Sequence, residues 1–195
     1  MEHQLNIIGK DTLALLLSRR SASAKRMTGP GPSQAELDTI FEAATRVPDH
    51  GKLAPWRFIL FEGDARVRFG DVLAAGFRAA NPDADDERVH VERERFLRAP
   101  LVVALISRVR VAIPIPEWEQ MLSAGACGMT LVLAAHALGY VANWITEWCA
   151  YDPYVHEKLG LSQTERVAGF IYIGKSAVAL EERPRPDFRT LVTRF

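Results

Sequence analysis

One stretch limits the fold more than any other: Glu117 to Leu138, EWEQMLSAGACGMTLVLAAHAL. Pro116 stands at its first turn, Glu117 and Glu119 lie near its positive end, and Gly139 supplies a natural C-cap. This spacing predicts the longest helix of the chain. The stretch is apolar on nearly all sides and rich in alanine and glycine, so neighbours can pack closely on it. It therefore predicts the central helix of a core. Ser123, Gly125, Gly128 and His136 interrupt it, and Glu117, Glu119 and Gln120 precede its most apolar part, so it reads as a buried helix rather than a membrane span.

The remaining elements are arranged around that helix. Asp11 to Ser18 carries leucines at 13, 15, 16 and 17 and forms a short helix running into Arg19-Arg20-Ser21. Thr28-Gly-Pro-Gly-Pro breaks the chain. Ser33 and Glu36 have the spacing of a capping box, Leu37, Ile40, Phe41 and Ala44 share one face, and Pro48 stops that helix. Trp56 to Phe61 reads as a strand, and Ala65 to Ala80 as a helix buried through Val67, Val72, Leu73, Ala74 and Phe77. Glu87 to Arg98 reads as a solvated helix with ion pairs along its own surface. Leu101 to Ile106, Tyr140 to Ile145 and Val167 to Ile173 read as strands, the first central in its sheet, and Pro153 to Leu159 as a short helix. The tail from Ser176 to Phe195 has two prolines and little core material, which suits a segment lying on another surface, such as a second subunit. This order lacks strict strand–helix alternation. It predicts one α+β domain over 1–195, with helices covering a small sheet.

The chain has 195 residues and no formal net charge, so a nucleic-acid partner is not expected. Its two cysteines, Cys127 and Cys149, have no metal-type spacing and read as buried apolar residues of a protein from a reducing compartment. The opening MEHQLNIIGKD lacks the apolar core of a signal peptide, and a cytoplasmic protein is expected. No GxGxxG, GxSxG or HExxH pattern is present. The histidines are scattered, so no metal centre is expected.

Three stretches carry candidate chemistry. Arg19-Arg20-Ser21 offers guanidinium forks and a hydroxyl to an anion. Arg46 to Phe58, RVPDHGKLAPWRF, places Arg46, His50 and Lys52 in a loop longer than a connector needs. Asn143 to Trp148 sets two tryptophans where they can pack on a flat aromatic ligand. Each is weak alone, since a basic helix end, a capped turn and two core tryptophans explain them as well.

Taken in order, Arg19-Arg20-Ser21, RVPDHGKLAPWRF, RAPLVV from Arg98, WEQMLSAGA from Trp118 and GFIYIGK from Gly169 resemble the flavin-dependent nitroreductase family, most closely its short bacterial NAD(P)H nitroreductase subgroup. The resemblance covers nearly the whole chain. It implies the nitroreductase-like α+β fold: a central, mostly antiparallel sheet covered by helices, a long buried central helix and a tail extending to the partner subunit.

It further implies a homodimer with FMN at the interface, and NAD(P)H as electron donor. On the matching positions, Arg19, Arg20 and Ser21 bind the phosphate and ribityl chain, and Arg46 and His50 approach the flavin. Trp144, Ile145 and Thr146 run along the isoalloxazine, contributed by the other subunit. Ala134, Ala135, His136, Ala137, Leu138 and Gly139 match a stretch assigned to nicotinamide-nucleotide binding. Lys175 is added as a phosphate-side cation. No protein nucleophile is implied. Hydride passes from NAD(P)H to FMN and then to a nitroaromatic, a quinone or a similar acceptor in a ping-pong scheme. A flavin-storage protein and a reductive dehalogenase on the same scaffold are the alternatives. This chain departs from the larger relatives at Ser23, where they carry lysine, and from its own subgroup at Ile145-Thr146, where Arg-Ser is usual. Asp83 to Arg98 falls where relatives place a lid.

Overall fold

The computed structural model describes residues 10–195; residues 1–9, with His3, lie outside them. Helix α1 (Lys10–Ser18) leads to the short strand β1 (Met27–Thr28) and helix α2 (Gln34–Ala44). Strand β2 (Trp56–Glu62) is followed by α3 (Asp64–Ala80) and α4 (Asp86–Arg93), then β3 (Leu101–Arg108) and the long helix α5 (Glu117–Ala137). Strand β4 (Val141–Ile145), α6 (Pro153–Lys158) and β5 (Glu165–Ser176) complete the order.

Every strand pairing is antiparallel. β3 lies between β2 and β5, with Phe58 opposite Leu105 on one side and Val103 opposite Ile171 on the other. β4 and β1 both pair with β5. Leu101 to Ile106 is buried at every position, as a central strand covered on both faces must be.

The sheet separates two cores. One face packs Phe61, Phe69, Phe96, Phe170 and Tyr172 as a chain of tilted and edge-on aromatic rings. The other packs Leu105, Ile171 and Ile173 against Cys127, Leu131 and Ala135 of α5 and Ile40 of α2. Burial pushes both cysteine thiols up to about 12, so they act as small apolar side chains.

The capping box forms as the spacing predicts: Glu36 N–H donates to Ser33 Oγ at 3.4 Å, and Ser33 N–H donates to the Glu36 carboxylate at 2.8 Å. Tyr140 OH also donates to that carboxylate at 3.0 Å and joins α2 to the end of α5.

Three expectations change. α5 is long and apolar enough to cross a bilayer, but here it is a core helix on one side only. Gln120, Ser123, Ala124, Cys127 and Leu131 are buried, whereas Trp118 is 66% exposed and Met121 and Leu122 are also open. Helix α3 buries Phe69, Gly70, Leu73, Ala74 and Gly76 and leaves Val67 exposed. Its face is fixed by contact with α4, because a Cβ on Gly70 would come within 2.2 Å of the Arg93 carbonyl. The charged segment is no free-standing lid: Val89, Glu92, Arg95 and Phe96 are all buried. A solvated helix would expose Glu92 and Arg95, but here they have tertiary partners.

Trp144 fits the fold through two glycines. A Cβ on Gly128 of α5 would meet its ring at 2.4 Å, and one on Gly169 of β5 would meet its Nε1 at 1.9 Å. The indole N–H donates to Ala168 O at 3.0 Å. Gly169→Ala should therefore expel the ring and cost on the order of 1–3 kcal/mol by overpacking. A thermal melt within a degree of the unaltered protein would refute this.

Candidate active site

The candidate residues fall into two groups at opposite ends of α5. At its C-terminal end, α1 stops at Ser18, and the chain continues extended so that Ala22 N–H donates to Ala142 O of β4 at 3.2 Å. Arg19-Arg20-Ser21 is thereby laid beside β4 of the same chain. Arg19 Nη2 donates to Ser21 Oγ at 3.1 Å, while Arg19 Nε is buried without a partner. Arg20 Nε donates to Glu181 O at 2.7 Å and pairs with Glu182 at 3.4 Å, which draws the tail toward the pocket.

Arg183 and Arg185 come with that tail. The pKa of Arg19 is lowered, first by burial, then by Arg185, Arg20 and Arg183, with Glu182 opposing. Arg20 and Arg185 both pair with Glu182 here, at 3.4 and 2.9 Å, while Arg19 has no carboxylate of its own within ion-pair distance among the described residues. His136 of α5 is part of the same environment. Burial and then the Arg19 charge lower its pKa, and both ring nitrogens are buried without partners. An unsatisfied guanidinium N–H, an unsatisfied imidazole and converging arginines are what a multivalent anion would complete, so these residues fit the phosphate of FMN.

Of the Ala134–Gly139 stretch, Ala135 is a core residue and Gly139 takes φ +77° as the helix terminator. Only His136 brings unsatisfied polar atoms to this end. Lys175 has an occupation of its own: its Nζ donates to Gly139 O at 2.9 Å and sits 3.7 Å from the centre of the Tyr140 ring.

The second group lies at the N-terminal end of α5. Arg46 is exposed just beyond α2. The loop after it is tightly built. Asp49 Oδ1 and Oδ2 accept from Leu53 and Ala54 N–H at 3.0 and 2.9 Å, and Ser123 Oγ donates to Pro48 O at 2.5 Å. Gly51, Lys52 and Ala54 all take positive φ inside this frame. His50 Nδ1 lies 2.8 Å from Glu119 Oε2. At 1.5 Å per residue, Glu119 and His136 are separated by about 25 Å of helix. One chain therefore does not bring Arg46 and His50 together with Arg19 and Ser21.

Between the two groups, Trp144 forms a wall of an apolar cavity of about 470 Å³ that also includes Val111, Met121 and Ala168. Trp144, Ile145, Thr146 and Glu147 line a second, more open cavity. Both tryptophans are anchored in the fold. Trp144 is held edge-in between its glycines, and Trp148 N–H donates to Glu92 at 2.6 Å beside Phe77. Arg183, Arg185, Glu147 and Arg95 were missed in the sequence reading. The alternation of arginine and proline in ERPRP was the one available signal for the first two.

Residues 16–175 match the profile of the nitroreductase family. The chain is 37% identical over 164 residues, 84% of its length and 87% of the relative's, to a protein of Escherichia coli K12 named "Putative NAD(P)H nitroreductase YdjA". The chain belongs to the nitroreductase family and is by that membership an oxidoreductase. Its fold is that of a nitroreductase-like family protein from Bacillus cereus, with a TM-score of 0.82 at 21% identity, covering 97% of this chain and 98% of that one. It is also that of the FMN and NADPH-dependent nitroreductase NfnB from "sphigopyxis" strain HMH, with a TM-score of 0.71 at 21% identity, covering 94% and 98%.

Proposed function

We propose that the chain is an FMN-dependent NAD(P)H oxidoreductase of the cytoplasm, a homodimer that reduces nitroaromatics, quinones or similar acceptors. The observation that carries this reading is the buried, unpartnered Arg19 Nε beside His136 among converging arginines. The names of the Escherichia coli relative and of NfnB support the choice of NAD(P)H and FMN.

Arg19, Arg20 and Ser21, joined by Arg183 and Arg185, hold the phosphate. Ile145 and Thr146, on the same chain, border the ring. The loop bearing Arg46 and His50 is contributed by the second copy, because the length of α5 keeps it away from Arg19 within one chain. This reverses the sequence-based expectation that Trp144, Ile145 and Thr146 cross the interface. The open faces of α1 and α5 and the exposed tail apolar residues Phe188, Leu191 and Val192 support such a dimer.

Bound FMN would supply the two-electron carrier between a nicotinamide nucleotide and the acceptor. The protein contributes no nucleophile. Its positive groups hold the anionic phosphate and favour negative charge on the ring, and its apolar walls admit planar acceptors. Steady-state rates measured against NADPH at several benzoquinone concentrations should give parallel double-reciprocal lines. Intersecting lines would contradict the two-step exchange.

A further inference from the structure

Away from the Arg19 cluster, the charged segment and the end of β4 meet in an ion-pair network in which Glu92 and Arg95 are buried and Glu147 is half-buried. Arg95 Nε and Nη2 donate to the two oxygens of Glu92 at 2.7 and 2.5 Å. Its Nη1 faces Glu147, and Arg98 Nη1 lies 3.6 Å from the other Glu147 oxygen. Trp148 Nε1 closes the network on Glu92. Burial works against the Arg95 charge, but the paired carboxylates of Glu147 and Glu92 outweigh it and raise its pKa.

Glu147 has φ +55° and ψ −179°. That region belongs in practice to glycine. A residue with a side chain occupies it at a cost of order 1–3 kcal/mol, and only where its surroundings hold it there. Here the hold comes through the carboxylate, which is ion-paired to Arg95 and approached by Arg98 at 3.6 Å. Buried ion pairs add little net stability, so the network's evident consequence is conformational. The residue so held adjoins Ile145 and Thr146 and lines the same open cavity.

We propose that Arg95 is a positioning residue: by gripping the Glu147 carboxylate it holds the backbone of residues 145–147 in the strained turn that receives the flavin ring. The inference rests on the flavin reading above. It explains why the charged segment is bolted to the core where a lid was expected. It also explains how a chain with Ile145-Thr146 in place of Arg-Ser fixes this segment without those side chains.

The test compares Glu147→Ala with Glu147→Gly in FMN titrations followed by flavin fluorescence, alongside melting of the flavin-free proteins. Alanine lacks both the carboxylate for Arg95 and the freedom of glycine, so its Kd should rise about tenfold. Glycine adopts the turn unaided and should recover most of that loss. Equal Kd values for the two variants would overturn the proposal, whether both match the unaltered protein or both are weakened alike. Should the alanine variant not fold, Arg95→Lys keeps the charge and loses the two-sided fork. Several-fold weaker FMN binding is then expected, and an unchanged Kd would overturn the proposal. If the unaltered protein takes up no FMN, the flavin reading itself fails and this inference falls with it. If it binds FMN and alanine equals glycine, only the positioning role falls.

Discussion

Replacing Arg19 by alanine should weaken FMN binding by on the order of 1.5–3 kcal/mol, the usual worth of a hydrogen bond to a charged group. That is roughly a 10- to 100-fold rise in Kd. The reason lies in the unpaired donors and acceptors around Arg19. Arg19 Nε has no partner, and His136 beside it has none on either nitrogen. The flavin-free protein should lose no melting temperature, because Arg185, Arg20 and Arg183 all act against the Arg19 charge. Tighter binding at low salt that weakens as salt is added should accompany the unaltered protein and be blunted in the variant. Fluorescence titration reads all of this directly. An unchanged Kd would remove Arg19 from the site and, with it, the assignment of the phosphate to this end of α5.

The second large effect concerns assembly. Trp118, Met121, Leu122 and Gly125 are spaced as one stripe along α5, and α1 adds Leu17, which is 83% exposed. In the dimer proposed here that stripe is covered. Leu122→Asp would bury an unpaired carboxylate in an apolar interface, which costs several kcal/mol. Light scattering should report a mass of one chain where the unaltered protein shows two. FMN affinity should collapse with it, since neither half-site holds the flavin alone. Leu122 lies outside both cores, so the far-UV circular dichroism should be kept. A variant that stays dimeric and retains FMN would place the interface elsewhere.

What the sequence disclosed follows the range of the interaction concerned. The capping box of Ser33 and Glu36 and the terminator Gly139 are local devices, and both appear where spacing put them. Leu101 to Ile106 was recognisable as central because a strand buried on both faces has no polar alternation. α5 was recognised as a core helix, but periodicity does not separate a face that meets the sheet from one that meets another subunit. Glu92 and Arg95 were misread because a charged run shows its near neighbours in sequence and hides Glu147. Trp144 looked like a stacking platform; the glycines that hold it, Gly128 and Gly169, belong to other elements. The approach of Arg183 and Arg185 to Arg19 joins the two ends of the chain, and no pattern within either end announces it. The separation of His50 from Arg19 depends on the length of α5 and on which end each segment packs against, so it became visible only in three dimensions.

The central claim is that this chain binds FMN and reduces it with a nicotinamide nucleotide. The most direct test is the visible absorption spectrum of the purified protein loaded with FMN, recorded without oxygen before and after NADPH or NADH is added. The account predicts flavin bands that stay with the protein through gel filtration and bleach on addition of at least one of the two donors. Bands that persist with both, or flavin that washes away, would contradict it.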